Sequence, residues 1–354
     1  MSRFLSEKYK DLEPYTPGEQ FREEGWIKLN TNESPFSPPD EVVSMAAEAG
    51  KKLQLYSDPD CTDLRRELAG YLGVKAEQLL LTNGSDEILH FAFMAFCDQE
   101  HPALFPDITY GFYKVFAQLD KVPYRQIPLK EDLTVDISDY TSGEGTVFLA
   151  NPNANTGIAL SPEDIEEILK ANRNRVVVID EAYVEFGAKS VLPLIEKYDN
   201  LLVTRTFSKA WSMAGARLGF GIGSSEIIDD LNRIKYSTDP YNVNSMTQAA
   251  TIGAVRSSEE IRANCMEITR CRERLMKELK EKGFDMTPSE ANFVFAKHPK
   301  IKGKDLYERL KEKKILVRHF DKDRISDYIR ITVGSDDQIG SLLNAIDEIL
   351  EVVG

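Results

Sequence analysis

Five short runs rich in Val, Ile and Leu, namely PALFP, VFLANP, RVVVID, NLLVTRTF and RLGFGIG, alternate with helical patterns between residues 102 and 223. This constrains the fold more than anything else in the sequence. None of these runs alternates cleanly between apolar and polar residues, so each reads as a strand buried on both faces. Strands of that kind belong to largely parallel sheets covered by helices. SPEDIEEILKAN sits between two of them as a well-marked helix, with Ser161 as N-cap and Pro162 at its first position. Upstream, LLLTNGSDEILHFAFMAFC reads as a strand, a tight turn at Asn83-Gly84-Ser85 and a mostly apolar helix. EVVSMAAEAGKKLQ and TDLRRELAGYLG read as two more helices, the second ending at Gly73.

After about residue 245 the texture changes. A long polar helical region, SSEEIRANCMEITRCRERLMKELKEKG, is followed by NFVFA, KDLYERLKEKK, ILVRHF, YIRITVG and a last helix, which predicts a smaller α+β unit. Residues 1–30 are polar, with turn signals at Pro14, Pro17 and Gly18, and need the rest of the protein for order. The expected organisation is an N-terminal arm (1–30) joining the small domain, a large α/β domain (31–244) with a mostly parallel sheet flanked by helices, and a small C-terminal α+β domain (245–354).

The 354 residues include 44 Lys and Arg against 58 Asp and Glu, a net charge of −14. That balance argues against nucleic acid or an anionic membrane as partner, and leaves room for a basic pocket for a small anion. No apolar run approaches the roughly 20 residues needed to span a bilayer, and the first residues have no apolar signal core. Cys61, Cys97, Cys265 and Cys271 form no CxxC and read as reduced thiols, so a cytoplasmic protein is expected. His90, His101, His298 and His319 have no metal-ligand spacing, so no metal is expected.

The chemistry concentrates in VVVIDEAYVEFG and LLVTRTFSKAWSMAGARLGF. Asp180 ends one apolar strand, and Lys209 follows the end of another, 29 residues on. Ligands of parallel α/β sheets bind outside those carboxyl ends. A structural ion pair would explain the two residues equally well if they stood alone. Thr206 and Ser208 beside the lysine, and Arg217 eight residues later, tip the balance. Lysine amines form Schiff bases with carbonyl cofactors. Arginine clamps phosphate, and an Asp can keep a pyridine nitrogen protonated. The Asn83-Gly84-Ser85-Asp86 turn opens a helix whose free N–H groups suit a phosphate. Tyr110, in PDITYGFY, can stack on a planar ring.

Together, NTNESP, NGSDE, TYGFY, NPNANTG, DEAYVEF, TRTFSKA, GARLGF, YNVNS and YIRITVG resemble the fold type I pyridoxal-phosphate enzymes, and within them the histidinol-phosphate aminotransferases, from Tyr15 to Gly334. The resemblance implies pyridoxal 5′-phosphate as cofactor. Lys209 would carry it as a Schiff base, Asp180 would face the ring nitrogen, Tyr183 the ring 3′-oxygen, and Tyr110 would stack on the ring. Gly84, Ser85, Asp86, Thr206, Ser208 and Arg217 would surround the cofactor phosphate. Tyr56, in QLYSDPD, would reach that phosphate from a partner subunit, which implies a homodimer. Arg330, in YIRITVG, and Arg318, in ILVRHF, would meet the anionic end of the substrate, with Tyr15, Asn32 and Asn242 nearby.

The implied reaction moves the amino group of L-histidinol phosphate to 2-oxoglutarate, a step of histidine biosynthesis. The nearest alternatives are a threonine-phosphate decarboxylase and an aromatic amino-acid aminotransferase of the same family. A nicotinamide-dependent oxidoreductase is disfavoured because GFGIGSS lacks the last glycine of GxGxxG. Two departures from the family pattern stand out. The loop usually reading Asn-Pro-Asn-Asn-Pro-Thr-Gly is NPNANTG here, so Ala154 and Asn155 replace Asn and Pro, and the ring-oxygen contact passes to Asn153 or is lost. Ser34 and Phe36 stand where Asn and Tyr are common.

Overall fold

The computed structural model describes residues 2–21 and 23–353. The chain enters through β1 (Ile27–Lys28), α1 (Asp40–Gly50) and α2 (Thr62–Leu72). β2 (Leu79–Thr82) leads directly into α3 (Ser85–Phe96), then β3 (Ala103–Pro106), α4 (Phe112–Asp120), β4 (Tyr124–Ile127), β5 (Thr146–Ala150), α5 (Pro162–Ala171) and β6 (Val177–Asp180). β7 (Leu201–Thr206) and β8 (Gly219–Ile222) complete a seven-stranded sheet of order β2-β8-β7-β6-β5-β3-β4. All neighbours pair in parallel except β8, which runs antiparallel to both β2 and β7.

Residue alternation along these strands fills two hydrophobic layers. Val177, Ile179, Leu201 and Val203 face one, and Val178, Leu202, Phe148 and Leu80 the other. That two-sided burial is why the strands read as unbroken apolar runs. Each run predicted as a strand from the sequence is one. β4 was not predicted. It is an edge strand with the sequence YRQI, its two middle residues exposed, and so carries no apolar signal. The first predicted helix stops at Gly50, and the following KKLQ forms turns. α2 ends as expected, with Gly73 left-handed at φ 71.

α6 (Ser225–Thr238) and α7 (Ser245–Arg256) follow. α7 lies so close to α1 that a Cβ built on Gly253 would stand 2.9 Å from the Glu41 carbonyl oxygen. The 24-residue α8 (Ser258–Glu281) then leads to a four-stranded antiparallel sheet. It contains β9 (Asp285–Met286), β10 (Phe293–Lys297), β12 (Arg318–His319) and β13 (Tyr328–Thr332), in the order β12-β13-β10-β9. α9 (Gly303–Glu312) and β11 (Ile315–Leu316) precede β12, and α10 (Asp336–Val353) closes the chain. β1 pairs in parallel with β11, so the N-terminal residues are hydrogen-bonded to the C-terminal part of the protein. Among the described residues, no helix is long and apolar enough to cross a membrane.

Candidate active site

Sheet register brings Asp180, Thr204 and Thr206 to one edge. Asp180 pairs with Thr204 across β6 and β7, and Gly219 lies between Thr82 and Thr206. The first turn of α3 rests on that edge. A Cβ on Gly219 would stand 2.3 Å from the Gly84 carbonyl carbon and the Ser85 nitrogen, and one on Gly84 would stand 2.5 Å from Arg217 Nη2. Only glycines leave room for this approach, and Gly84 also holds φ +77, which side chains rarely adopt. The open N–H groups at the start of α3 therefore face Arg217, Thr206 and Ser208. Arg217 itself sits at φ 58, a left-handed conformation that costs a non-glycine residue of order 1–3 kcal/mol. Its guanidinium donates to Ser208 Oγ at 3.3 Å and to Asp86 Oδ2 at 3.2 Å.

These residues line an inner cavity of about 120 Å³ with Tyr110, Ala154, Asp180, Ala182, Tyr183 and Lys209. Asp180 is 4% exposed and accepts from Thr204 Oγ1 (3.2 Å) and Tyr113 OH (3.3 Å). It makes no ion pair with any described residue. Burial pushes its carboxyl up to about 7. A buried acid without a cation is stable as a neutral group, or as an anion once a cation enters the cavity. Burial likewise lowers the Lys209 amine to about 8, with Arg330 adding to the effect. Its Nζ donates to the Thr31 carbonyl at 3.0 Å. Tyr183 OH accepts from Asn32 Nδ2 at 3.0 Å, and burial raises the phenol. Tyr110 donates to Asp86. The inner cavity thus offers an amine, an uncompensated acid and an anion cradle, which suits a small planar group with a cationic ring nitrogen, a carbonyl and a phosphate.

An outer cavity of about 380 Å³ adjoins it and shares Tyr110, Ala154, Tyr183 and Lys209. Tyr15, Asn32, Arg318 and Arg330 line it, as the sequence predicts for substrate contacts, and so do Thr31 and Lys322, which the sequence reading did not single out, and Asn155, which it marked only as a departure from the family loop. Tyr15 stacks on Phe112, with centroids 4.3 Å apart. Arg318 holds the Thr16 and Pro17 carbonyls (3.1 and 3.3 Å). Arg330 donates to the Ala154 carbonyl at 2.7 Å, while its Nε has no partner among the described residues. Asn32 is left-handed (φ 56) and pinned on several sides. Its backbone N–H donates to Thr332 Oγ1 (2.9 Å), which in turn donates to Asn32 Oδ1 (3.1 Å), and its carbonyl accepts from Asn292 (3.0 Å).

Four predicted residues line neither cavity; Gly84 serves instead as the close turn beneath Arg217, and the other three are Asn153, Asn242 and Tyr56. The Asn153 side chain is taken up by its own loop, accepting from the Asn155 and Thr156 amides (2.9 and 3.0 Å) and donating to the Ile108 carbonyl (2.9 Å). Asn242 donates to Glu87 on α3. Tyr56 is 85% exposed and stacks on Tyr241. The loop behind it is fixed by Lys235 to Pro59, Tyr236 to Asp60 and Gln248 to Asp58.

Comparison with known proteins gives a consistent picture. Residues 24–346 match the family model "Aminotransferase class I and II". The chain is 43% identical over 350 residues to histidinol-phosphate aminotransferase 1 of Bradyrhizobium diazoefficiens, covering 99% of this chain and 100% of that protein. It is 45% identical over 353 residues to histidinol-phosphate aminotransferase 1 of Bordetella parapertussis, covering 99% of each. The solved histidinol-phosphate aminotransferase of Clostridium acetobutylicum superimposes with a TM-score of 0.85 at 25% identity, over 92% of this chain and 99% of that one. The Sinorhizobium meliloti enzyme, solved in complex with pyridoxal-5′-phosphate, gives a TM-score of 0.86 at 24% identity, over 93% and 92%. The chain belongs to the class I and II aminotransferases and, within them, to the histidinol-phosphate aminotransferase family.

Proposed function

We propose that the protein is a pyridoxal-phosphate-dependent transaminase that takes the amino group of L-histidinol phosphate and passes it to 2-oxoglutarate. The observation that carries this reading is the outer cavity. Lys209, Arg318, Lys322 and Arg330 line it with no carboxylate among the lining residues, in a chain whose net charge is −14. Such a local reversal of charge favours a strongly anionic substrate. The cofactor, when bound, supplies a carbonyl for amine exchange and an electron sink for the charge left at the substrate Cα.

The protein's own residues do the rest. Lys209 would anchor the cofactor covalently. Its freed amine, which burial lowers to about 8, would be the base that moves the substrate Cα proton. Asp180 would accept the ring N–H and fix its charge. Tyr183, held by Asn32, would donate to the ring 3′-oxygen, and Tyr110 would cover one ring face. The α3 amides of Ser85 and Asp86, with Thr206, Ser208 and Arg217, would hold the cofactor phosphate, while the Asp86 side chain orients Arg217 and Tyr110. Asn153 contributes by shaping the loop that carries Ala154. Asn242 braces α3 through Glu87.

The test is a single-turnover absorbance measurement on cofactor-loaded protein. L-Histidinol phosphate, added without any oxo acid, is expected to convert the lysine-bound cofactor to its aminated form. Release of CO₂ from L-threonine phosphate, with no response to L-histidinol phosphate, would replace this reading with a decarboxylase. A response to phenylalanine alone would point to an aromatic aminotransferase.

We infer further that two copies assemble and that Tyr56 serves the partner's phosphate site. Leu53, Leu55 and Tyr56 are 59%, 63% and 85% exposed, and Tyr241 beside them 45%, an apolar surface that favours burial. Sedimentation is expected to give a dimer, and Tyr56→Phe to weaken cofactor binding about tenfold, the loss of one charge-assisted hydrogen bond. A monomer, or a variant that binds cofactor as tightly as the parent, would refute the shared site. This reading keeps residues 31–244 and 245–354 as two units, and the four buried free cysteines fit a reducing cytoplasm.

A further inference from the structure

We propose that Asn155 is a specificity-determining residue of the outer cavity, where its side-chain amide donates to the phosphate of the amine substrate. The proposal rests on the reading of that cavity as the donor site.

The main chain of Asn155 is tightly fixed. Its N–H donates to Asn153 Oδ1 at 2.9 Å, the next amide shares the same oxygen, and the Thr156 carbonyl accepts from Thr287 Oγ1 at 2.5 Å. The side chain is different. Asn155 is 6% exposed, yet its amide hydrogen-bonds to no described residue, and it lines the outer cavity. Neither polar atom of the side chain is sealed from solvent, so the amide is open to the cavity, where a ligand acceptor would displace water from it.

The surroundings say what kind of atom this is. The preceding carbonyl, of Ala154, accepts from Arg330, so Asn155 follows directly on the residue that this guanidinium holds, and both line the same cavity. Arg318 and Lys322 line the same cavity, and no carboxylate does. The partner is therefore an anionic acceptor. Three cations and an amide with two N–H groups exceed what one carboxylate can occupy and suit the three oxygens of a phosphate.

The sequence departure acquires a meaning from this placement. The related pattern has an amide at position 154 and a proline at 155, whereas this chain has Ala154 and Asn155. Ala154 borders both cavities, while Asn155 borders only the outer one. The exchange removes an amide from the cofactor ring and supplies one to the substrate.

The test uses cofactor-loaded wild type, Asn155→Ala and the isosteric Asn155→Asp, which preserves the shape of the loop. Spectral titration gives the dissociation constants of L-histidinol phosphate and of L-histidinol, which differ only in the phosphate, and inorganic phosphate is titrated separately. The preference for the phosphorylated ligand is expected to fall about tenfold in Asn155→Ala and further in Asn155→Asp, whose carboxylate repels phosphate and pairs with Arg330. Binding of inorganic phosphate should weaken in parallel. The absorbance of the bound cofactor and its pH titration should match wild type, because Asn155 lines the outer cavity and not the inner one. A preference within about twofold of wild type in both variants would overturn the proposal, as would a spectral change with unaltered preference. If wild type shows no preference for L-histidinol phosphate, the donor assignment fails separately. Phosphate binding that is insensitive to Asn155 would then overturn the subsite as well.

Discussion

Lys209→Ala is expected to abolish transamination, a loss on the order of 10⁴-fold or more in kcat, because one side chain supplies both the covalent anchor and the proton-transferring base. The structure explains why no neighbour can substitute. Among the residues lining the inner cavity, the only other nitrogen cation is Arg217, which is held by Ser208 and Asp86. An arginine does not deprotonate in the range where the enzyme must work. Single-turnover kinetics with L-histidinol phosphate checks this, and the absorbance of the lysine-bound cofactor should vanish as well. Retention of near wild-type turnover would overturn the assignment of Lys209.

Asp180→Asn should cost roughly 10³-fold in kcat while stabilising the cofactor-free protein at alkaline pH. The first effect follows from losing the buried anion that fixes positive charge on the ring nitrogen, worth a few kcal/mol in a dry site. The second follows from linkage. Burial raises the carboxyl from its ordinary range to about 7, so the folded protein binds this proton more tightly than the unfolded chain does. Stability is therefore lost as pH rises from about 4 to about 7, by up to ~4 kcal/mol, and stays low above that window. Asparagine removes the penalty, less what it loses by facing Thr204 and Tyr113, which both donate to the acid. Urea unfolding of the two cofactor-free proteins should show the variant more stable at pH 8 and the difference nearly gone at pH 4. A variant less stable at both pH values, or one with mildly reduced kcat, would argue against an uncompensated acid awaiting a cation.

Lys209, Asp180, Thr206, Ser208 and Arg217 were legible in the sequence because strand ends position them, and strand ends are marked by local pattern. The Gly84 turn was legible for the same reason. The outer cavity was legible only through the family resemblance, which named Tyr15, Asn32, Arg318 and Arg330 among its lining. Its wall joins residues from the N-terminal arm, the NPNANTG loop and the β12–β13 region, and no local periodicity reports which side chains of such distant segments converge. Lys322 sits in the charged segment RHFDKDRIS, where a solvated lysine and a cavity lysine look alike. Asn153 and Asn155 differ by two positions in one loop, and only the hydrogen-bond pattern separates the amide that braces the loop from the one left free. β4 escaped notice because an edge strand with exposed middle residues has no hydrophobic signature.

The hydrogen bonds that join Thr31 to Lys209 and Asn32 to Thr332 span 178 and 300 residues of chain. On the ribosome, therefore, the lysine emerges well before the whole site around it can exist. Until Thr332 has been synthesised and β1 has found β11, Asn32 lacks one of its anchors and Arg330 cannot reach the Ala154 carbonyl. Contacts of such separation close late, because their loop entropy must be overcome first. The inner cavity, lined by residues 85–217 alone, does not wait for these contacts, whereas the outer cavity takes part of its wall from residues 318–330. Of the two cavities, it is the one read as the substrate site that closes last.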